Sequence, residues 1–191
     1  MKLYFNKPSP YARKVRVVAH EKSLIDRLEL REVDPWSDPP ELLEATPLAK
    51  VPALLTDDGT LLTESTAICR YFDDIGHGPK LVSGEAWRVM ARVGLAQGVI
   101  DASFAIVMER RRQAGQQSAD WVARQSRAIA RTLPKLEFAD GRFDLGDITL
   151  ACALAYLDFR LPDMTWRAAR PALALWLDHA KQRPAMVATA A

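Results

Sequence analysis

The sequence predicts an α/β domain over residues 1–76, a linker at 77–84 and an all-helical domain over 85–191. Three observations carry this division. Short strand and helix signals alternate at first in the order β-α-β-(α)-β-β-α, which implies a mixed four-stranded sheet with helices packed on it. A Gly- and Pro-containing break, Gly76-His77-Gly78-Pro79 through Gly84, then interrupts the pattern. Beyond the break the apolar residues recur at helical spacing, with no convincing strand.

Lys2–Phe5 is a brief β-prone run, and Asn6–Pro10 ends it. Pro10 suits the first helical position, where its missing N–H costs nothing. Val15, Val18 and Ala19 follow at helical spacing, and Leu28, Leu30 and Val33 read as a strand. Asp34–Pro40 contains three prolines and reads as a loop before a short helical Glu41–Ala45. Val51–Thr56 and Thr60–Thr63 flank Asp57-Asp58-Gly59, a hairpin signal. Ser65–Ile75 is helical through Ile68, Tyr71 and Phe72. In the second half, Glu85–Arg112, Ser118–Leu136, Asp144–Phe159 and Pro171–Lys181 read as four helices, and the Ala-rich tail is expected to fray. Asp144 and Asp147 are spaced as a capping box, with Phe143 and Ile148 at the positions of a hydrophobic staple. That pattern is a folding signal.

The composition excludes several function classes. The chain has 191 residues, 49% hydrophobic and 26% charged, the balance of an ordinary globular protein. Its net charge is +2, which argues against a dominant nucleic-acid or membrane-surface role. No run approaches the ~18 apolar residues of a membrane-spanning helix, and no signal peptide is evident. Cys69 and Cys152 are far apart and form no metal-ligand or disulfide pattern, so no metal is expected, and reduced thiols suit a cytoplasmic protein. His20, His77 and His179 have no ligand spacing and read as structural or surface residues.

Three segments of the first domain offer chemistry. Ser9 lies where the first strand passes into the first helix; it either caps that helix or donates a hydroxyl proton to an anion at the helix N-terminus. Glu64 and Ser65 open the third helix, as a capped end or as a grip for the amine and carboxylate of an amino-acid headgroup. Lys50-Val51-Pro52 precedes the third strand; a cis proline there would leave the Val51 backbone free to pair with an extended peptide.

With these motifs in hand, the sequence resembles a known family. SPYARKV, TPLAKVPAL and LTESTAICRYF look like the N-terminal domain of the cytosolic glutathione S-transferases, and FDLGDITLACALAYLDFR resembles the capped helix of their C-terminal domain. The resemblance covers nearly the whole chain. It implies a thioredoxin-like domain followed by a helical bundle, a homodimer, and glutathione as co-substrate. Ser9 matches the serine of the serine-type classes, which hydrogen-bonds the glutathione sulfur. Ala12 stands where a thioredoxin-like dithiol has its second cysteine, so dithiol exchange is disfavoured. Val51 would pair with the cysteinyl unit, Pro52 would be the cis proline, Glu64 and Ser65 would hold the γ-glutamyl headgroup, and Lys50 would reach the glycyl carboxylate or remain solvated. Two positions depart from the family pattern: Ala49 replaces a usual Gly, and Asp144 replaces a usual Ser or Thr.

The implied activity is attack of a glutathione thiolate on a small hydrophobic electrophile or peroxide, a detoxification chemistry. Tyr11, Phe104 and Met108 are candidates for the wall of the second-substrate pocket, expected between the domains; core packing is the competing reading for each. Asp101 is a candidate contact to glutathione on the other subunit, or a plain solvated acid. The rival functions are a non-enzymatic interaction protein that keeps the fold, and a specialised glutathione-dependent isomerase, dehalogenase or peroxidase.

Overall fold

The computed structural model describes residues 1–139 and 141–190. The chain forms two compact units. One comprises Met1–Val82 together with residues 183–190, and the other Ser83–Gln182.

The first unit is built on strands β1 (Lys2–Phe5), β2 (Glu29–Glu32), β3 (Ala53–Leu55) and β4 (Leu61–Thr63), in the order β2-β1-β3-β4. β1 pairs parallel with β2 and antiparallel with β3, and β3 pairs antiparallel with β4. The sheet is mixed, as the alternating pattern predicts. β2 is an exposed edge strand on which Leu30 is surrounded by Glu29, Arg31 and Glu32. Charges of this kind discourage edge-to-edge pairing. At the β3–β4 hairpin, Gly59 takes a φ of +81°, and Asp58 accepts from the Thr60 N–H at 3.0 Å. This matches the expected turn.

Helix α1 (Pro10–Glu21) buries the expected Val15, Val18 and Ala19, and with them Pro10, Ala12, Lys14, Arg16 and Val17. A short helix α2 (Pro40–Ala45) follows β2, and α3 (Ser65–Ile75) follows β4 and packs against α1. The expected linker is tied down for most of its length. Lys22 Nζ donates to the carbonyls of Gly78 (3.3 Å) and Pro79 (3.0 Å) and pairs with Asp73 at 3.2 Å. Asp73 in turn accepts from the N–H groups of Leu81 (2.8 Å) and Val82 (3.0 Å).

The second unit centres on α4 (Ala86–Arg110), which packs against α5 (Ala119–Thr132) and α6 (Leu145–Arg160). α6 buries residues on every side, as a helix apolar all round must. The capping box at its start is complete, with both reciprocal bonds between Asp144 and Asp147 at 3.2 Å. Among the described residues α4 is the one helix long and apolar enough to cross a membrane. No uninterrupted apolar run of that length exists in it; Gln97 and Asp101 break the stretch. Its buried stripe packs inside the bundle.

A short helix α7 (Trp166–Ala169) and α8 (Pro171–Ala180) complete the second unit. Here Asp158 accepts from Trp166 Nε1 (2.9 Å), from Arg167 Nη2 (2.8 Å) and Nε (3.1 Å), and from Lys181 Nζ (3.0 Å). Burial alone would raise its pKa, but hydrogen bonds from Arg167 and Lys181 hold it below the usual carboxylate range. A depressed carboxylate adds stability above its unfolded pKa and loses it as pH falls through the folded value. Urea unfolding between about pH 5 and about pH 2 is therefore expected to show a flatter acid limb in Asp158→Asn than in the wild type. An unchanged slope would remove Asp158 from the acid response.

The tail departs from expectation. Residues 184–188 form a helix, α9 (Pro184–Ala188), and do not fray. Ala185, Met186 and Thr189 are buried. Arg13 Nη2 donates to the Met186 carbonyl at 3.2 Å, and Arg183 holds Glu21 through two 3.0 Å bonds. Residues 183–190 thus belong with the first unit, whereas the sequence reading assigned them to 85–191. The reason is that α9 packs on α1. Residue 191 lies outside the described residues.

Candidate functional site

The sheet register gathers the three chemical segments of the first unit. Tyr4 lies opposite Ala53, and Ala53 opposite Thr63. The end of β1, the start of β3 and the end of β4 therefore share one edge of the sheet. The chain leaves β1 toward Ser9, enters β3 through Val51-Pro52, and leaves β4 at Glu64. Both α1 and α3 begin at this edge, so two helix N-termini bring their positive ends to it.

Ser9 is the N-cap of α1, and its Oγ accepts from the Ala12 N–H at 3.2 Å. The cap and donor readings are compatible. The cap uses an oxygen lone pair, while the hydroxyl proton is a separate donor. Ser9 is half-buried.

The Val51–Pro52 bond is cis. Val51 lies just outside β3, and among the described residues its N–H and C=O make no hydrogen bond. Ala49, two residues earlier, has a φ of +49°. That left-handed conformation explains why Gly is usual there; a Cβ costs about 1–2 kcal/mol in this region. Lys50 is exposed.

Glu64 is the N-cap of α3 and is held at a φ of +72°. A non-glycine residue so placed is strained, and strain of this kind concentrates at ligand clamps. Its carboxylate accepts from the Thr66 N–H (3.0 Å) and the Ser65 hydroxyl (3.2 Å). Ser65 is buried and opens the helix, where backbone donors lack intrahelical acceptors. An acid and a helix N-terminus side by side suit a zwitterion.

The other candidates fall elsewhere. Tyr11 is half-buried in the first turn of α1. Phe104 and Met108 are half-buried, four residues apart on α4, and so share a face within the second unit. Asp101, one turn earlier, is exposed and accepts from Gln97 Nε2 at 3.0 Å. Both cysteines are buried, and no disulfide joins them.

One residue escapes the sequence reading. Lys14 of α1 has no solvent exposure, and its Nζ donates to Thr66 Oγ1 at 3.0 Å. The available signal is its position one turn before Val18, on the apolar row of the helix.

Family models match both parts of the chain. Residues 8–75 match the glutathione S-transferase N-terminal domain, and residues 108–179 match its C-terminal domain. An uncharacterized GST-like protein of Escherichia coli, YibF, is 32% identical over 99% of this chain and 98% of its own. A glutathione transferase family member from Pseudomonas fluorescens Pf-5, solved with bound glutathione, superposes with a TM-score of 0.92 at 37% identity, covering 99% of this chain and 98% of that one. A second structure of a family member from that strain holds S-(propanoic acid)-glutathione, with a TM-score of 0.89, 37% identity and the same coverage. The four-stranded mixed sheet followed by a helical domain is the thioredoxin-like arrangement of these proteins, and this chain belongs to the glutathione S-transferase family.

Proposed function

We propose that this chain binds glutathione along the shared sheet edge and holds its sulfur as a thiolate for attack on a small electrophile. The observation that carries the reading is the register of β1, β3 and β4, which brings Ser9, Val51-Pro52 and Glu64-Ser65 to one edge with two helix N-termini. Glu64 takes the γ-glutamyl amine, and Ser65 with the start of α3 takes its carboxylate. The Val51 backbone pairs with the cysteinyl unit. Lys50 stands near enough in sequence to serve the glycyl carboxylate.

The Ser9 hydroxyl then donates to the sulfur. A free thiol has a pKa of about 8.5, and lowering it by ~2 units takes ~2.7 kcal/mol of preference for the thiolate. One donor hydrogen bond to a charged acceptor and the α1 dipole are together of that size. The thiolate attacks carbon; a thioether forms, and the electrophile's leaving group departs or its new carbanion takes a proton from water. The protein contributes position and electrostatics, and glutathione contributes the nucleophile. The neighbour that holds S-(propanoic acid)-glutathione supports a site open to thioether products. Tyr11, Phe104 and Met108 are the apolar residues proposed to meet the electrophile, and Asp101 is proposed to serve a homodimer. We place the protein in the cytoplasm, with electrophile detoxification as its role.

Calorimetry of glutathione with wild type and a Glu64→Ala/Ser65→Ala double variant tests the binding edge. Micromolar-to-millimolar binding by the wild type, lost in the variant, is expected. Folded wild type that does not bind glutathione overturns the reading and favours an interaction module that keeps the fold.

A further inference from the structure

α1 carries its charges against the usual preference of a helix start. Its first turn has no acidic residue, and Arg13, Lys14 and Arg16 lie within its first two turns. Cations there oppose the positive end of the helix dipole. Ser9, Arg13, Arg16 and His20 recur at intervals of four, three and four, so they lie on one face of the helix. That face meets α9. Arg16 stands over the Phe5 ring at 4.6 Å, bonds the Ala188 carbonyl at 3.4 Å and feels the charge of Glu32. Arg13, one turn behind Ser9, is placed differently. Its Nη2 donates to the Met186 carbonyl at 3.2 Å, its Nε is buried without an acceptor, and among the described residues no carboxylate pairs with it. The charged groups around it are Arg16, with Glu32 beyond, and Arg183 ahead of α9, which holds Glu21. The bond to α9 does not need a charge, since a neutral amide could donate in its place. Long side chains on a helix lean toward its N-terminus, which carries the Arg13 charge toward Ser9. Local preferences broken in this way collect at functional sites.

We propose that Arg13 is a supporting cation for the bound thiolate: the Met186 carbonyl anchors its guanidinium one turn behind Ser9, and its charge adds to the field of α1 at the sulfur. The inference rests on the glutathione reading above. Arg13 acts through space and makes or breaks no bond. One helical turn plus a hydrogen bond puts the charge about 8–10 Å from the sulfur. At an effective dielectric constant of about 20, that distance is worth about one pKa unit.

The test uses two ligands, glutathione and S-methylglutathione, which has no thiol to ionise. Wild type, Arg13→Met, Arg13→Gln and Arg13→Lys are each checked for fold by circular dichroism. Ultraviolet titration reads the thiol pKa of bound glutathione, and calorimetry reads the Kd for S-methylglutathione. Arg13→Met is expected to raise the bound thiol pKa by about one unit, a loss of about tenfold in thiolate below it. Arg13→Gln, which keeps a donor but no charge, should raise it as much, and Arg13→Lys should titrate near wild type. The Kd for S-methylglutathione should be unchanged in all three. A bound thiol that titrates as in wild type in both neutral variants overturns the role of Arg13 while leaving glutathione binding intact. A rise as large in Arg13→Lys as in Arg13→Met, or weakened S-methylglutathione in the neutral variants, makes Arg13 a brace between α1 and α9 and overturns it too. Wild type that binds neither ligand overturns the glutathione reading as well. Should Arg13→Met fail to fold, Arg13→Gln against Arg13→Lys decides by the same readings.

Discussion

Ser9→Ala is expected to leave glutathione bound but mostly protonated at neutral pH. With the hydroxyl gone, the thiol pKa of the bound peptide should rise by about 1–2 units, so the thiolate fraction below that pKa falls about 10- to 100-fold. Ultraviolet thiolate titration of the complex reads this directly. The same substitution removes the acceptor of the Ala12 N–H, so a stability loss of about 1 kcal/mol accompanies it. Ser9→Gly separates the two effects. Glycine at an N-cap costs only a few tenths of a kcal/mol, yet it has no proton to donate. Both variants should show the same raised thiol pKa but different unfolding midpoints. A bound thiol that titrates as in wild type in both variants makes Ser9 a cap and nothing more.

The second large effect concerns stability. Asp147 is fully buried at the start of α6. Its Oδ1 accepts from Arg92 Nη1 (2.8 Å) and the Ala139 N–H (2.9 Å), and its Oδ2 from the Asp144 N–H (3.2 Å). Arg92 also bonds Asp144. The guanidinium lies across Gly146, where a Cβ would come within 2.9 Å of Arg92 Cζ. Burial raises the Asp147 pKa, and the Asp144 charge adds to this, while Ala139 and Arg92 oppose it. Asp147→Ala removes one partner from a buried cluster and leaves Arg92 and two backbone donors short of an acceptor. A loss of about 3–5 kcal/mol in urea unfolding is expected, well beyond the ~1 kcal/mol of an ordinary cap. Asp147→Asn should fall between, since the amide oxygen keeps one acceptor. A loss under about 1 kcal/mol for Asp147→Ala would show that the cluster relaxes around the gap.

The Asp144 departure from the family pattern now has a reason. A serine or threonine could cap α6, but it could not pair with Arg92. Nothing in the local sequence joins position 92 to position 144, so the capping box was legible and its ionic partner was not. The same contrast runs through the candidate site. Ser9, Pro52 and the Glu64-Ser65 pair announce themselves as strand-to-helix junctions, because capping residues and prolines have local conformational meaning. Their shared edge needed the pairing of β1 with β3, a long-range contact. Lys14 stayed hidden because a lysine on an apolar row is ordinarily read as a solvated interruption. Helices α7 and α9 span four and five residues, too short for a 3.6-residue period to repeat. β2 showed through its flanks, Leu28 and Val33, which are buried, while Leu30 between them is not.

The return of α9 to α1 bears on synthesis and dissection alike. α9 fills a place on α1, although the whole second unit lies between them in sequence. During translation that surface stays uncovered until residues 183–190 have been made, so the first unit is completed only after the second has been synthesised. A fragment cut at the boundary after Val82 would carry the whole sheet and the candidate site but an uncovered α1. Any recombinant version of that unit alone needs residues 183–190 restored to it, for instance by fusing them through a flexible tether.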